Sequence, residues 1–168
     1  DAAYAVEPGF WAAVLPPVRA AHPEAWILGE MIHGDYAGYV AASGIDSVTE
    51  YELWKATWSS LKEENFFELD WTMGRHNALL ETFVPQTFVG NHDVTRIASQ
   101  VGHDKAVLAL TLFLSRGGVP RDLHGDEVGM VGVKEERWGG DDVIRPAFPA
   151  SPSELDVGDG RVLRAHQA

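Results

Sequence analysis

Apolar residues along this chain come in short unbroken runs and in longer runs at helical spacing, and the two kinds alternate. Trp26-Ile27-Leu28-Gly29-Glu30 is consecutive rather than alternating, so it predicts a short strand buried on both faces and closed by a carboxylate. Ile45 to Glu50 reads the same way, with Val48 and Thr49 as β-branched members, as do Thr87 to Asn91 and Val119 to His124. Between these runs lie helical patterns. Phe10, Trp11, Val14, Leu15 and Val18 predict a helix over 10–21, kinked or split at Pro16-Pro17 and ended by His22-Pro23. A short helix over 36–42 is closed by Gly44, and another covers 51–61. Asn65 with Glu68 has the spacing of a capping box and opens a helix reaching about Phe83. Asp104 caps a helix over 104–116 that is apolar all round, so burial on every side is expected, and Gly117-Gly118 ends it. The stretch 131–160, rich in Gly, Pro and Asp, reads as one long loop, and 161–168 as the first turns of a further helix.

Strands alternating with helices, with no hairpin signal between them, call for an α/β fold with a parallel sheet. Polar residues close the strands in turn: Glu30, Glu50, Asn91-His92-Asp93 and His124 to Asp126, with Asp1 one unit earlier. Spaced by about one βα unit of roughly 30 residues, they fall on the same rim of the sheet.

Composition narrows the partners. Of 168 residues, 45% are apolar and 23% charged, which suits one globular domain with a real core. The net charge of −12 speaks against nucleic acid, whose affinity comes from cations neutralising phosphates, and against anionic membrane surfaces. No apolar run approaches the roughly 20 residues that span a bilayer. Without cysteine there is neither a disulfide framework nor a thiolate metal site. His33, His92 and His124 could meet on the rim, but no pair has metal-ligand spacing, so no metal is expected in this chain. The first residue is Asp rather than Met, which suggests a piece of something longer.

Carboxylates on neighbouring parallel strand ends, such as Asp1 and Glu30, can reach one substrate, since strands lie about 4.8 Å apart. Two such groups across a cleft are what glycosidic bond cleavage needs, one to attack the sugar carbon and one to protonate the departing oxygen.

Three short motifs give these carboxylates a family. Asp1-Ala2-Ala3, then Gly29-Glu30, then Phe88-Val89-Gly90-Asn91-His92-Asp93 with Arg96 occur in the order of three signature regions of the α-amylase family. Gly118-Val119-Pro120 followed by Gly125-Asp126-Glu127-Val128-Gly129-Met130 resembles that family's eighth strand and its exit. Over about residues 1–150 the chain resembles the second half of the family's catalytic (β/α)8 TIM barrel, about strands 5–8 and their helices, with the N-terminal half missing. A complete barrel of this type takes roughly 250 residues.

The resemblance implies a retaining glycoside hydrolase or transglycosylase acting on α-glucans and maltooligosaccharides. Asp1 would be the nucleophile, Glu30 the acid/base, and Asp93 the carboxylate that binds sugar hydroxyls and stabilises the transition state. His92, Asn91 and Arg96 would contact substrate beside Asp93. Tyr4-Ala5 stands where many α-amylases carry Lys-His against the leaving-group sugar, a departure that leaves starch endo-hydrolysis open. Trp138 either stacks on a sugar or is merely a loop residue, and Arg145 either contacts substrate or braces the loop. Trp26, Trp54, Trp58 and Trp71 read as packing residues rather than sugar platforms. Asp35, Glu50, Asp126 and Glu127 are open between cleft and structural roles. Arg121-Asp122 inside the last strand has no physical account. No cofactor is implied for this chain, although a full-length relative leaves room for calcium. The isolated chain is expected to be inactive; the other reading is a non-catalytic carbohydrate-binding or partner-completed half-barrel.

Overall fold

A computed structural model describes residues 2–147 and 149–168. The elements follow one another as a 3₁₀ turn (Ala3–Ala5), α1 (Pro8–Ala21), β1 (Leu28–Gly29), α2 (Tyr36–Ser43), β2 (Ser47–Val48), α3 (Tyr51–Glu63), α4 (Phe67–Leu80), β3 (Gln86–Thr87), α5 (Ile97–Ser115), β4 (Val119–Pro120) and α6 (Arg161–Gln167). β1 pairs with β2 and β3 with β4, both parallel. A single parallel bridge, Thr49 to Gln86, joins the two pairs, with the Glu50 N–H donating to the Gln86 carbonyl at 2.9 Å. The alternation read from the sequence is therefore present, and the ladder is shorter than the apolar runs. A run becomes strand only where a neighbour supplies partners, and β1 and β4 have one paired side each.

Burial follows the same logic. Val48 and Phe88, between neighbouring elements, are almost wholly buried, whereas Trp26, before β1, is 47% exposed, so the 26–30 run is not covered on both faces. α1 packs against α2 and contributes only Leu15 to the buried core, leaving Phe10 and Val14 exposed. It remains one helix through Pro16-Pro17 rather than splitting. The prolines remove the bonds that Ala12 and Ala13 carbonyls would accept, and both residues are exposed, so water can serve those oxygens.

Two larger cores fill the space between layers. One gathers Leu15, Met31, Tyr36, Ile45, Val48 and Phe83 under the first pair of strands. The other gathers Leu61, Val89, Ile97, Ala109, Leu110 and Phe113 where α5 crosses α3. α5 is not buried all round, since Leu108 and Leu114 are both more than half exposed on its outer face. It also starts earlier than expected. Gly102 (φ 78°, ψ 163°) breaks it into two pieces, and Asp104 pairs with Arg161 of α6 instead of capping. At α4, Asn65 Oδ1 accepts from the Phe67 N–H at 3.2 Å, but Glu68 turns away to Lys55 at 2.6 Å, so the reciprocal half of a capping box does not form.

The stretch 131–160 is irregular apart from 3₁₀ turns at Asp142–Ile144 and Pro152–Glu154. It folds back on the residues after β3: Arg96 N donates to Gly132 O at 3.0 Å, and Lys134 N to Thr95 Oγ1 at 3.0 Å. Among the described residues no helix is long and apolar enough to cross a membrane.

Candidate active site

The C-terminal ends of the strands open into a cleft of about 360 Å³ lined by Leu28, Glu30, Thr49, Tyr51, Asn91, His92 and Arg121. Each strand delivers its residue by the same means: parallel strands run the same way, so the polar residue that ends each one lands on a common rim.

Glu30, one residue past β1, is half-buried. Its Oε2 accepts the Ala2 N–H at 2.7 Å and its Oε1 accepts the Tyr51 hydroxyl at 3.2 Å. Asn91, buried just past β3, donates from Nδ2 to the Tyr51 oxygen at 2.8 Å. Glu30, Tyr51 and Asn91 thus form a hydrogen-bonded chain across the cleft floor. Burial pushes the Tyr51 hydroxyl up to about 12, so it stays a protonated donor throughout the pH range in which proteins work. Asp1 lies outside the described residues, but the backbone of the residue after it touches Glu30.

Asn91 Oδ1 accepts the Asp93 N–H at 2.9 Å, turning the chain so that Asp93 follows the lining residue His92 without itself lining the cleft. The Asp93 carboxylate accepts from Arg145 Nη2 at 2.6 Å and lies 3.4 Å from His92 Nε2. Arg145 also donates to the His92 carbonyl at 2.6 Å and to Asp141 at 3.0 Å, and Lys134 Nζ donates to the Asp93 carbonyl at 3.0 Å. Arg145 therefore both braces the loop and positions Asp93. Tyr4 donates its N–H to the Glu30 carbonyl at 3.2 Å, with its ring half exposed.

Other expected residues stand elsewhere. Arg96 does not line the cleft: it is fully buried, donating Nε to Ile144 O (3.0 Å) and Nη1 to His124 O (2.7 Å) and to Asp126 Oδ1 (3.0 Å). Three acceptors from beyond its own helix and no path to water make it the strut between α5 and the long loop. Gly90 makes room for that arrangement, since a Cβ there would meet Asp126 Oδ2 at 2.5 Å. Burial raises the Asp126 carboxyl to about 6 against the opposing pull of Arg96. Trp138 is 99% exposed and does not line the cleft. Glu50 is buried under the rim, 2.8 Å from His76 Nδ1, so its role is structural. Among the described residues no group of three or more His, Asp or Glu could hold a metal ion.

Among the lining residues, Tyr51 and Arg121 were given no cleft role from the sequence. Tyr51 reads as the first residue of a helix; its only signal is a polar-tipped aromatic directly after a strand-end carboxylate. Arg121 reads as part of the last strand, but β4 stops at Pro120, so Arg121 stands at the strand's exit and faces the cleft. Its partner Asp122 turns to His166 of α6 at 3.2 Å, which resolves the charged pair without burying it inside a strand.

The family model for the alpha-amylase catalytic domain matches residues 7–155. A 4-alpha-glucanotransferase of Thermotoga neapolitana is 30% identical over 149 residues, covering 84% of this chain and 31% of its own length. A cyclomaltodextrinase of Geobacillus thermopakistaniensis is 29% identical over 140 residues, covering 79% of this chain and 24% of its own length. Among solved structures, the cyclic α-maltosyl-(1→6)-maltose hydrolase from Arthrobacter globiformis, in complex with that sugar, superposes with a TM-score of 0.79 at 20% identity, over 98% of this chain and 37% of its own. An alpha-amylase from H. orenii does so with a TM-score of 0.71 at 24% identity, over 84% of this chain and 30% of its own. The chain spans about a third or less of the length of the curated relatives it matches. It belongs to the alpha-amylase catalytic-domain family.

Proposed function

We propose that this chain is the second half of a (β/α)8 catalytic barrel whose complete enzyme cleaves or transfers α-glucosidic bonds of α-glucans and maltooligosaccharides with retention of configuration. One observation carries the reading: Glu30 and the Asn91-His92 pair, 61 residues apart in sequence by their first members, line one cleft at the strand ends, with the residue after Asp1 hydrogen-bonded to Glu30 and Asp93 next in the chain after His92.

In the retaining mechanism Asp1 attacks the anomeric carbon to give a covalent glycosyl intermediate while Glu30 protonates the departing oxygen. Glu30 then removes a proton from water, giving hydrolysis, or from a sugar hydroxyl, giving transfer. Tyr51, fixed between Glu30 and Asn91, holds the Glu30 carboxyl in one orientation. Asp93, held by Arg145, presents its carboxylate to sugar hydroxyls and to the positive charge that develops on the ring. The names of the relatives span both outcomes, a glucanotransferase and a cyclomaltodextrinase, which supports the bond type and leaves the acceptor open.

The test uses the complete enzyme with maltoheptaose. Glu30→Gln lowers kcat by about a thousandfold, and proton NMR of the first products shows the α-anomer. First-formed β-anomer would rule out retention, and full activity of Glu30→Gln would remove Glu30 from the chemistry.

A further inference from the structure

Thr49, Glu50 and Tyr51, directly after β2, hold Glu30 from two sides. Thr49 donates its N–H to the Gly29 carbonyl at 3.1 Å. Its hydroxyl accepts the Met31 N–H at 2.9 Å and donates to the Met31 carbonyl at 3.0 Å, so the residues before and after Glu30 are both pinned. Tyr51 holds the Glu30 carboxyl itself, at 3.2 Å. Thr49 and Tyr51 line the cleft, and Glu50 between them points the other way, as alternate residues of an extended segment do. There it meets His76 of α4, whose Nδ1 lies 2.8 Å from Glu50 Oε2. We propose that His76 is a positioning residue for the reaction: through Glu50 it anchors the 49–51 segment to α4 and so fixes where Glu30 stands against substrate. The proposal rests on the acid/base role of Glu30.

Burial argues for placement rather than for stability. His76 is wholly buried and Glu50 nearly so. Replacing such a pair by well-packed apolar residues is often neutral or stabilising, so the pair is weak as a source of stability. Arg116 accounts for the carboxylate, since the Glu50 charge opposes the desolvation of that guanidinium. It does not account for the imidazole. Among the described residues His76 Nε2 has no hydrogen-bond partner, so the ring is kept inside the protein for its one bond to Glu50. A hydrogen bond constrains angle as well as distance, and an apolar side chain of the same volume would leave the carboxylate free to turn.

Topology gives the anchor its reach. β1 pairs with β2 and β3 with β4, and the two pairs meet at the Thr49–Gln86 bridge and at the bond from the Glu50 N–H to the Gln86 carbonyl. Glu30 follows β1, in the first pair, and Asn91-His92-Asp93 follows β3, in the second. The segment that His76 holds is therefore the joint between the proton donor and the turn that presents Asp93. Misplacing reacting groups by about 1 Å can cost a hundredfold in rate with every group still present.

The experiment follows maltoheptaose turnover by the complete enzyme, with the melting temperature of each variant. His76→Leu should lower kcat about tenfold while KM stays within about twofold, because the groups that line the cleft are all still there. His76→Asn, whose amide nitrogen stands where the imidazole Nδ1 does, should recover most of the loss. His76→Gln, whose amide reaches the Nε2 position instead, should not. Where His76→Leu does not fold, the ratio of kcat between the Asn and Gln variants decides, with about tenfold expected. Unchanged kcat in His76→Leu, or equal kcat in the Asn and Gln variants, overturns the positioning role alone. A kcat that merely follows melting temperature across the three variants assigns His76 to stability and overturns it as well. A wild-type enzyme that does not turn maltoheptaose over removes the α-glucan reading, and the positioning role with it.

Discussion

Arg96 and Tyr51 exchange the roles that their motifs suggest. Arg96 sits three residues after a strand-end carboxylate, yet its guanidinium is spent on two carbonyls and Asp126, all inside the protein. Removing one member of such a buried pair leaves the other uncompensated, so Arg96→Ala should cost about 3–5 kcal/mol of stability in urea denaturation. Asp126 sets a pH dependence. Its folded pKa, about 6, lies above the ordinary 3.8, so the native state holds its proton more tightly than the unfolded chain. The stability it contributes is fully present below about pH 4 and is lost as pH rises through 6. The unfolding free energy of wild type minus that of Asp126→Asn should therefore fall between pH 4 and pH 7, by up to about 3 kcal/mol. A difference that rises with pH would reverse the sign of the argument. Tyr51→Phe removes the hydroxyl between Glu30 and Asn91 and should lower kcat of the complete enzyme about tenfold, at a stability cost of about 1 kcal/mol.

Among the elements, α5 shows where a pattern and a backbone part company. Its apolar body marks a helix correctly, with Ala106, Ala109, Leu110 and Phe113 buried. The break inside it falls at Gly102, whose φ of 78° and ψ of 163° are open to glycine and costly for any other residue. No heavy atom lies within 4 Å of where a Cβ would stand at that position, so the cost of Gly102→Ala is one of backbone conformation alone. Thermal denaturation should show a loss of about 2 kcal/mol; an unchanged melting temperature would mean the break is dispensable. The strands show a related effect. Apolar runs mark where β1 to β4 lie, but pairing decides how long they are, and pairing depends on neighbours that no local pattern contains.

For the whole molecule, two unpaired strand edges and an exposed α1 face describe a sheet that ends in open hydrogen-bonding groups. The isolated 168-residue chain should therefore self-associate on gel filtration and show no maltooligosaccharide turnover, while the complete enzyme should not aggregate through these edges and should turn the substrate over. Turnover by the isolated, monomeric chain would show that half of the strands suffice. The cleft itself is complete on the side described: Glu30, Tyr51, Asn91 and His92 all line it without help from elsewhere.

The order of elements, the rim on which their polar ends gather and the family were legible in the sequence, because strand, helix and motif are local and survive as patterns. Which of the motif residues face the cleft was not. Glu30 and Asn91 meet through Tyr51, Arg96 turns inward to Asp126, Glu50 closes on His76, and Arg121 swings out past β4. Those choices depend on side chains from segments far apart competing for the same few donors, acceptors and buried volume, a contest settled only when the chain is folded.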